Sequence, residues 1–196
     1  MTVGVIVTQT GDDGPTNAAS CSDVEFIGVA GSGQRDGGDS AEDQMDEEDI
    51  EDEDYGDSEC PESKIVVAGY SQGAMALRRA LLELGSVDSI VAGVLIGDGD
   101  KLPDDKVTTI DDYDTDDYEG IAQLARDQWD FDSGASEEPL PSDWESRILS
   151  ACRGGDVVCA QESFDVGSIT DDIPAHTNYD AEDWREFLAD AVAAAS

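Results

Sequence analysis

The sequence predicts an α/β fold in which helices cover both faces of a central, mainly parallel sheet. Four apolar runs of strand length, rich in β-branched residues, occur at 23–30, 64–69, 91–97 and 147–151. Segments with apolar residues at helical spacing lie between and after these runs. A strand that is apolar on both faces has to be covered on both sides, so this alternation predicts a three-layer α/β/α sandwich.

The length of the chain fits one domain. Its 196 residues are enough to bury about two thirds of the surface that the unfolded chain exposes, which allows a preformed pocket. Residues 36–59 interrupt the pattern, because they are largely acidic and include no basic residue. We therefore expect a single domain over residues 1–196 with a mobile, solvated acidic loop at 36–59.

Three helices are predicted from the spacing of apolar residues. The first, at 74–84, directly follows the second apolar run; the others are expected at 118–129 and 180–195, the last with a capping pattern at its start. The residues expected to face the core are Ile121, Leu124 and Ala125 in the second helix and Trp184, Phe187, Leu188 and Val192 in the third.

Acidic residues dominate the composition: 48 Asp and Glu stand against 10 Lys and Arg, which gives a formal net charge of -38. Such a surface repels phosphate, so we expect neither nucleic acid nor an anionic membrane as a partner. The acids extend into segments that also carry core patterning, which favours adaptation to high salt, with cations loosely bound to the acidic surface. The alternative is an ordinary acidic protein with one disordered acidic insert.

Cysteine usage favours export from the cell. Cys21, Cys60, Cys152 and Cys159 have no histidine at zinc spacing, which favours two disulfides over a metal site. Disulfides persist in oxidising surroundings, so we expect a secreted protein whose signal peptide is either removed here or not recognisable. No stretch approaches the roughly 18 apolar residues of a membrane span, so no span is expected.

The segment Gly69-Tyr70-Ser71-Gln72-Gly73 is a Gly-x-Ser-x-Gly motif between an apolar run and a helical pattern. In this context the motif is typical of a sharp strand-to-helix turn that holds a nucleophilic serine at the edge of a sheet. The glycines allow the backbone and the neighbouring strand to approach closely. The following helix begins where an oxyanion would form, so its amides favour negative charge there.

A serine nucleophile needs a base, and His176 is the single histidine of the chain. A lone histidine is more often a surface or core residue than a base. This one, however, is preceded by an aspartate in a loop between two cysteines. Asp156 lies between Cys152 and Cys159, in a small loop that a local disulfide would close. The order Ser71, Asp156, His176 is the order found in α/β-hydrolases.

These motifs together resemble the cutinase family of serine esterases. The resemblance implies Ser71, Asp156 and His176 as a catalytic triad, and Ser32 with the backbone amide of Gln72 as the oxyanion hole. It also implies disulfides from Cys21 to Cys60 and from Cys152 to Cys159. The matching segments are Cys21 with the strand to Gly31-Ser32, Cys60-Pro61 with Val67 to Ala74, the loop around Gly155-Asp156, and Ala175-His176 with Tyr179.

Two segments depart from the family pattern. Between Gly33 and Cys60 the chain has only the acidic run, where the family places a further strand and crossover helices, so the sheet is either complete or lacks one family element. The segment 97–146 is longer and more acidic than the family pattern. The resemblance therefore implies the triad but does not define the binding cleft.

We expect a secreted, monomeric carboxylic-ester hydrolase without a cofactor or metal, acting on cutin-like polyesters, lipid esters or short acyl esters. One alternative is a catalytically silent hydrolase-fold protein whose acidic surface binds cations or a basic partner. Another is a thioesterase or acyltransferase with the same triad. Asp112 to Asp116 is similar to the start of a calcium loop, but Asp117 stands where glycine is needed, so we interpret it as solvated acid.

Overall fold

The computed structural model describes residues 5–9, 23–31, 63–103, 105–110, 117–129, 131–160 and 174–195. The expected acidic loop at 36–59 and the calcium-like segment from Asp112 to Asp116 lie outside these residues, as do Ser32, Cys21 and Cys60.

A six-stranded sheet, in the order β1-β2-β3-β4-β6-β5, forms the centre of the protein. The first pair of strands is antiparallel and the other four pairs are parallel. The five parallel strands confirm the predicted mainly parallel sheet. The strands are β1 Val5–Gln9, β2 Val24–Val29, β3 Lys64–Tyr70, β4 Ile90–Ile96, β5 Thr108–Thr109 and β6 Ile148–Ala151.

Helices lie on both faces of this sheet, which confirms the three-layer prediction. On one face Leu77 and Leu81 pack with Val67 and Leu95. On the other face, Trp184 and its helix neighbours pack against a cluster of Val94, Leu149 and Ala151. Adjacent residues such as Val94 and Leu95 belong to opposite clusters because successive side chains of a strand alternate between faces. The helices are α1 Gln72–Leu84, α2 Ile121–Trp129 and α3 Glu182–Ala194, with a short 3₁₀ helix at Ser142–Trp144.

The ends of three neighbouring strands are aligned at one edge of the sheet. In the strand register, Tyr70 pairs with Ile96, and Ile96 pairs with Ala151. The chain therefore leaves β3, β4 and β6 side by side, at Ser71, Gly97 and Cys152. Open parallel α/β sheets bind their ligands at this carboxyl edge, and the sequence motifs of interest follow two of these three strands.

A buried ionic cluster lies between α1 and the segment after β4. Arg78 is 1% exposed and pairs with the carboxylates of Asp98 and Asp105. The neighbouring Arg79 donates from Nε and Nη2 to Asp100 at 2.6 and 3.0 Å. Burying these charges costs free energy unless each has an opposite partner, so the pairs fix how α1 packs against the chain that follows β4.

Candidate active site

Ser71 occupies a strained turn between β3 and α1. Its φ is 54° and its ψ is -121°, a positive-φ conformation that a residue other than glycine rarely adopts. The amide of Ser71 donates to the carbonyl of Ile96 at 2.8 Å, which ties the turn to the end of β4. Gly73 has no room for a side chain, because a Cβ there would collide with the carbonyl of Val29. The geometry is that of the strand-to-helix turn that the motif predicts.

The imidazole of His176 lies within hydrogen-bonding distance of the Ser71 hydroxyl. The distance from Nε2 to Oγ is 2.9 Å. The histidine sits on a helical turn at 174–177, and only 12% of its side chain is exposed. The structure thus brings together two groups that are 105 residues apart in the chain.

Asp156 contacts the other side of the same imidazole. Both carboxylate oxygens lie 2.9 Å from Nδ1 of His176, and the side chain of Asp156 is fully buried. The amide of Val158 donates to Oδ1 at 2.7 Å, and the hydroxyl of Tyr179 donates to Oδ2 at 2.5 Å. An ionised carboxylate can only accept hydrogen bonds, so this contact keeps the proton of a neutral imidazole on Nδ1 and leaves Nε2 free to accept one.

The loop that carries Asp156 is closed by a disulfide between Cys152 and Cys159, which confirms that part of the disulfide prediction. Both cysteines are buried, and the amide of Asp156 donates to the carbonyl of Arg153 within the loop. The loop also holds α2 in place, because the amide of Ile121 donates to the carbonyl of Val158 at 2.7 Å. The predicted partner pair, Cys21 and Cys60, lies outside the described residues.

Tyr70 holds the histidine from the strand side, a contact that the sequence did not predict. Its ring stacks on the imidazole with centroids 5.0 Å apart, and its hydroxyl donates to the carbonyl of His176 at 2.8 Å. Burial, with a smaller contribution from the charge of Asp156, raises the pKa of the Tyr70 phenol above its ordinary value. The hydroxyl therefore stays protonated and able to donate over a wide pH range.

Gly97, at the end of β4, is a second contributor that sequence reasoning missed. Its φ is 58°, and a Cβ there would lie 2.8 Å from Cε1 of His176 and 3.2 Å from Oδ2 of Asp156. A side chain at this position would push apart the imidazole and the carboxylate. The available signal was a glycine directly after a buried parallel strand that neighbours the serine turn.

The predicted oxyanion hole is described only in part. Gln72 is the first residue of α1, and the first amides of a helix have no partner within the helix. Its amide therefore has no acceptor within α1, and it is the donor that the family resemblance assigns to the oxyanion hole. Ser32, the other predicted donor, lies outside the described residues.

A cleft with a volume of about 620 Å³ extends from Ser71 along one side of α1, and we call it the α1 cleft. Residues three and four positions apart form its floor, because these positions share one face of a helix. Ile121, Ser133 and Val158 form the opposite side. The floor residues are Gln72, Met75, Ala76, Arg79, Ala80 and Glu83.

The described part of the chain contains neither a metal-binding cluster nor a membrane-spanning helix. No group of three or more histidine, cysteine or acidic side chains there is arranged to hold a metal ion. Of the helices described, none has the length and apolar character needed to cross a bilayer.

The mainly parallel sheet with helices on both faces places the protein in the α/β class, with a serine, an imidazole and a carboxylate brought together at the carboxyl edge. The family comparison is more specific: a model of the cutinase family matches residues 32–192, and the chain belongs to that family.

Among solved structures, a cutinase-like protein from Cryptococcus sp. is 23% identical to this chain, with a TM-score of 0.40. The match covers 67% of this chain and 62% of the Cryptococcus chain, so it spans less than two thirds of that protein. Among curated proteins no significant match is found.

Proposed function

We propose that the chain is a serine carboxylic-ester hydrolase that forms an acyl-enzyme on Ser71. The observation that carries the proposal is the continuous set of contacts from Oγ of Ser71 through the imidazole of His176 to Asp156, at 2.9 Å on each side of the ring. This arrangement lies at the mouth of the α1 cleft, which Ser71 itself lines.

The chemistry follows from these positions. His176 takes the hydroxyl proton on Nε2 as Ser71 Oγ attacks the ester carbonyl, and the imidazolium then protonates the departing alcohol. Asp156 orients the ring and stabilises its charge. Water, activated by the same imidazole, then attacks the acyl-enzyme and releases the acid.

Negative charge on the carbonyl oxygen needs donors already in place. The amide of Gln72 at the start of α1 is one, and we propose the hydroxyl of Ser32 as the other, on the family resemblance. A single donor of this type contributes about 3 kcal/mol in the transition state, so loss of the Ser32 hydroxyl is expected to lower the rate of hydrolysis. We further propose that the protein is a secreted monomer.

Replacing Ser71 with alanine tests the nucleophile. In Ser71→Ala we expect hydrolysis of para-nitrophenyl butyrate in concentrated potassium chloride to fall by at least about a thousandfold, because the oxyanion hole and binding alone supply only a residual rate. The circular dichroism spectrum should be retained. The exposed Ser146, which does not line the cleft, gives a matched control, and Ser146→Ala is expected to keep full activity.

Labelling with a fluorophosphonate separates this proposal from a catalytically silent hydrolase fold. A fluorophosphonate should attach to Ser71 in the unaltered protein and in Ser146→Ala, and not in Ser71→Ala. A folded protein without any label, or full hydrolysis by Ser71→Ala, would refute the assignment. Product analysis with a thioester and with an added alcohol distinguishes an esterase from a thioesterase or an acyltransferase.

A further inference from the structure

The α1 cleft changes from apolar to polar along its length. Near Ser71 its lining includes Met75, Ile121 and Val158, whereas Arg79 and Glu83 line it further along the helix. Arg79 is eight residues after Ser71, so it lies about 12 Å further along the helix axis at 1.5 Å per residue. An acyl chain of medium length attached to Ser71 would therefore reach the guanidinium with its far end.

Arg79 has one donor group to spare at this place. Nε and Nη2 donate to Asp100, and Nη2 also donates to the carbonyl of Ser133 at 3.0 Å. In the part of the chain that the structure describes, Nη1 has no protein acceptor. The side chain of Arg79 is 37% exposed. Nη1 lies next to Gly134, where a Cβ would come within 3.1 Å of it.

The surrounding charges decide which acceptor fits. Asp100 already neutralises the guanidinium, and Glu83 lines the cleft one turn further along α1. The charge of Asp98 also acts on Arg79, so a carboxylate at the end of the acyl chain would be a further negative group near one cation, in a protein of net charge -38. An uncharged oxygen accepts the same hydrogen bond without that repulsion.

We propose that Arg79 is a specificity-determining residue that donates from Nη1 to an uncharged oxygen, a hydroxyl or an ester carbonyl, at the far end of a medium-length acyl chain. The inference rests on the proposed esterase function and adds a substrate class to it. It assigns the far end of the α1 cleft to a polar group, where an alkyl-binding cleft would be apolar throughout.

Four para-nitrophenyl esters of similar length test the proposal. The nonanoate ends in a methyl group, the ω-hydroxyoctanoate ends in a hydroxyl at the same position, and suberate is used as its monomethyl ester and as its free acid. In the unaltered protein, kcat/KM for the hydroxyl or the methyl ester should exceed that for nonanoate about tenfold, since a charged donor makes a strong hydrogen bond. Burial of apolar surface alone would favour nonanoate instead.

Arg79→Lys is the informative variant, because it keeps a cation beside Asp100 but loses the fork of donors that reaches the cleft. Its preference for the oxygen-bearing esters should fall to about one. The ratio is measured on one enzyme sample, so partly folded protein does not alter it. Arg126→Lys, on α2 and outside the cleft lining, is the matched control and should keep the tenfold preference.

Each other result overturns the inference. A ratio near one in the unaltered protein, or an unchanged preference in Arg79→Lys, removes Arg79 from substrate recognition while the esterase proposal stands. Fastest turnover of the free carboxylic acid overturns the choice of an uncharged oxygen. Failure to hydrolyse any of the four esters, together with no fluorophosphonate label on Ser71, refutes the proposed function and this inference with it.

Discussion

The carboxylate of Asp156 accepts hydrogen bonds from three different kinds of donor: the imidazole of His176, the amide of Val158 and the hydroxyl of Tyr179. A fully buried carboxylate is costly without such partners. The amide and the hydroxyl fix the carboxylate, and the carboxylate in turn fixes the ring. Tyr179 is therefore a positioning residue that acts on the proposed base through Asp156.

Replacing Tyr179 with phenylalanine removes one donor from Asp156 and one acceptor from the amide of Arg153. We expect kcat for para-nitrophenyl butyrate to fall roughly tenfold, which corresponds to one hydrogen bond to a charged group. KM should change little, because Tyr179 does not line the α1 cleft. Steady-state kinetics separate the two constants.

Tyr118→Phe is a suitable control for this change. Tyr118 is partly buried against the disulfide loop and does not contact Asp156. An unchanged kcat in Tyr179→Phe, or an equal loss in both variants, would contradict a positioning role for Tyr179.

At this scale the sequence identifies some contacts and misses others. The Gly-x-Ser-x-Gly motif, the single histidine and the loop between two cysteines pointed to Ser71, His176 and Asp156, which the structure brings together. Stacking by Tyr70 and the need for glycine at 97 depend on which strands are neighbours. No local pattern in one sequence contains that information.

At the scale of single elements, two opposing effects act on the pKa of Asp100 in the ionic cluster between α1 and the segment after β4. Burial raises the pKa of Asp100, and this outweighs the opposite effect of the hydrogen bond from Arg79. The folded protein therefore holds a proton on Asp100 more tightly than the unfolded chain does. In the pH window between those two pKa values, the contribution of Asp100 to stability falls as the pH rises.

Asp100→Asn tests the direction of this pH dependence of stability. Urea unfolding at fixed potassium chloride is measured from acidic to neutral pH for the unaltered protein and the variant. The free energy of unfolding of the unaltered protein, relative to the variant, should decrease as the pH rises from about 3.8, the ordinary pKa of an aspartate. An increase with pH would mean that Arg79 lowers the pKa of Asp100 below its ordinary value.

Elements were predicted well where burial made their pattern strong. The four predicted strands appear as β2, β3, β4 and β6, with ends that differ by no more than one residue. The second predicted helix starts later, at Ile121, where Gly120 packs against the backbone of Gly99. Two strands were missed: β1 is short and lies before the first predicted run, and β5 has only two residues.

Three of the four residues of the third helix that were expected to face the core do so; Val192, the fourth, is not part of the cluster against the sheet. Trp184, Phe187 and Leu188 pack against the sheet, and the carboxylate of Asp180 accepts the amide of Glu182 at 3.0 Å. The apolar face was readable because three residues at helical spacing share it. Asp180 lies one residue before the N-cap, Ala181, which itself makes no side-chain cap hydrogen bond.

At the scale of the whole molecule, the excess of acidic residues is the dominant physical property. At low ionic strength the charges repel one another over a Debye length of about 30 Å at 0.01 M salt, against about 3 Å at 1 M. Folding brings these charges together, so screening should favour the folded state. The proposed adaptation to high salt follows from this balance.

Circular dichroism provides the measurement. We expect the helical signal near the usual minima to be strong in concentrated potassium chloride and to decrease in dilute buffer, with recovery when salt is restored. Sodium perchlorate and sucrose at matched osmolarity are compared, because the salt screens charge and sucrose does not. The comparison separates ion screening from a general solvent effect. Equal signals in dilute and concentrated salt would contradict adaptation to high salt and favour an ordinary acidic protein.

The stacking of Tyr70 on His176 gives the protein a built-in spectroscopic reporter. Because the chain has one histidine, its imidazole protons give a single set of nuclear magnetic resonance signals. The ring current of the phenol 5.0 Å away displaces those signals from their free positions. Any ligand that enters next to Ser71 can therefore be detected in solution on an unlabelled sample, through an atom that is itself part of the proposed chemistry.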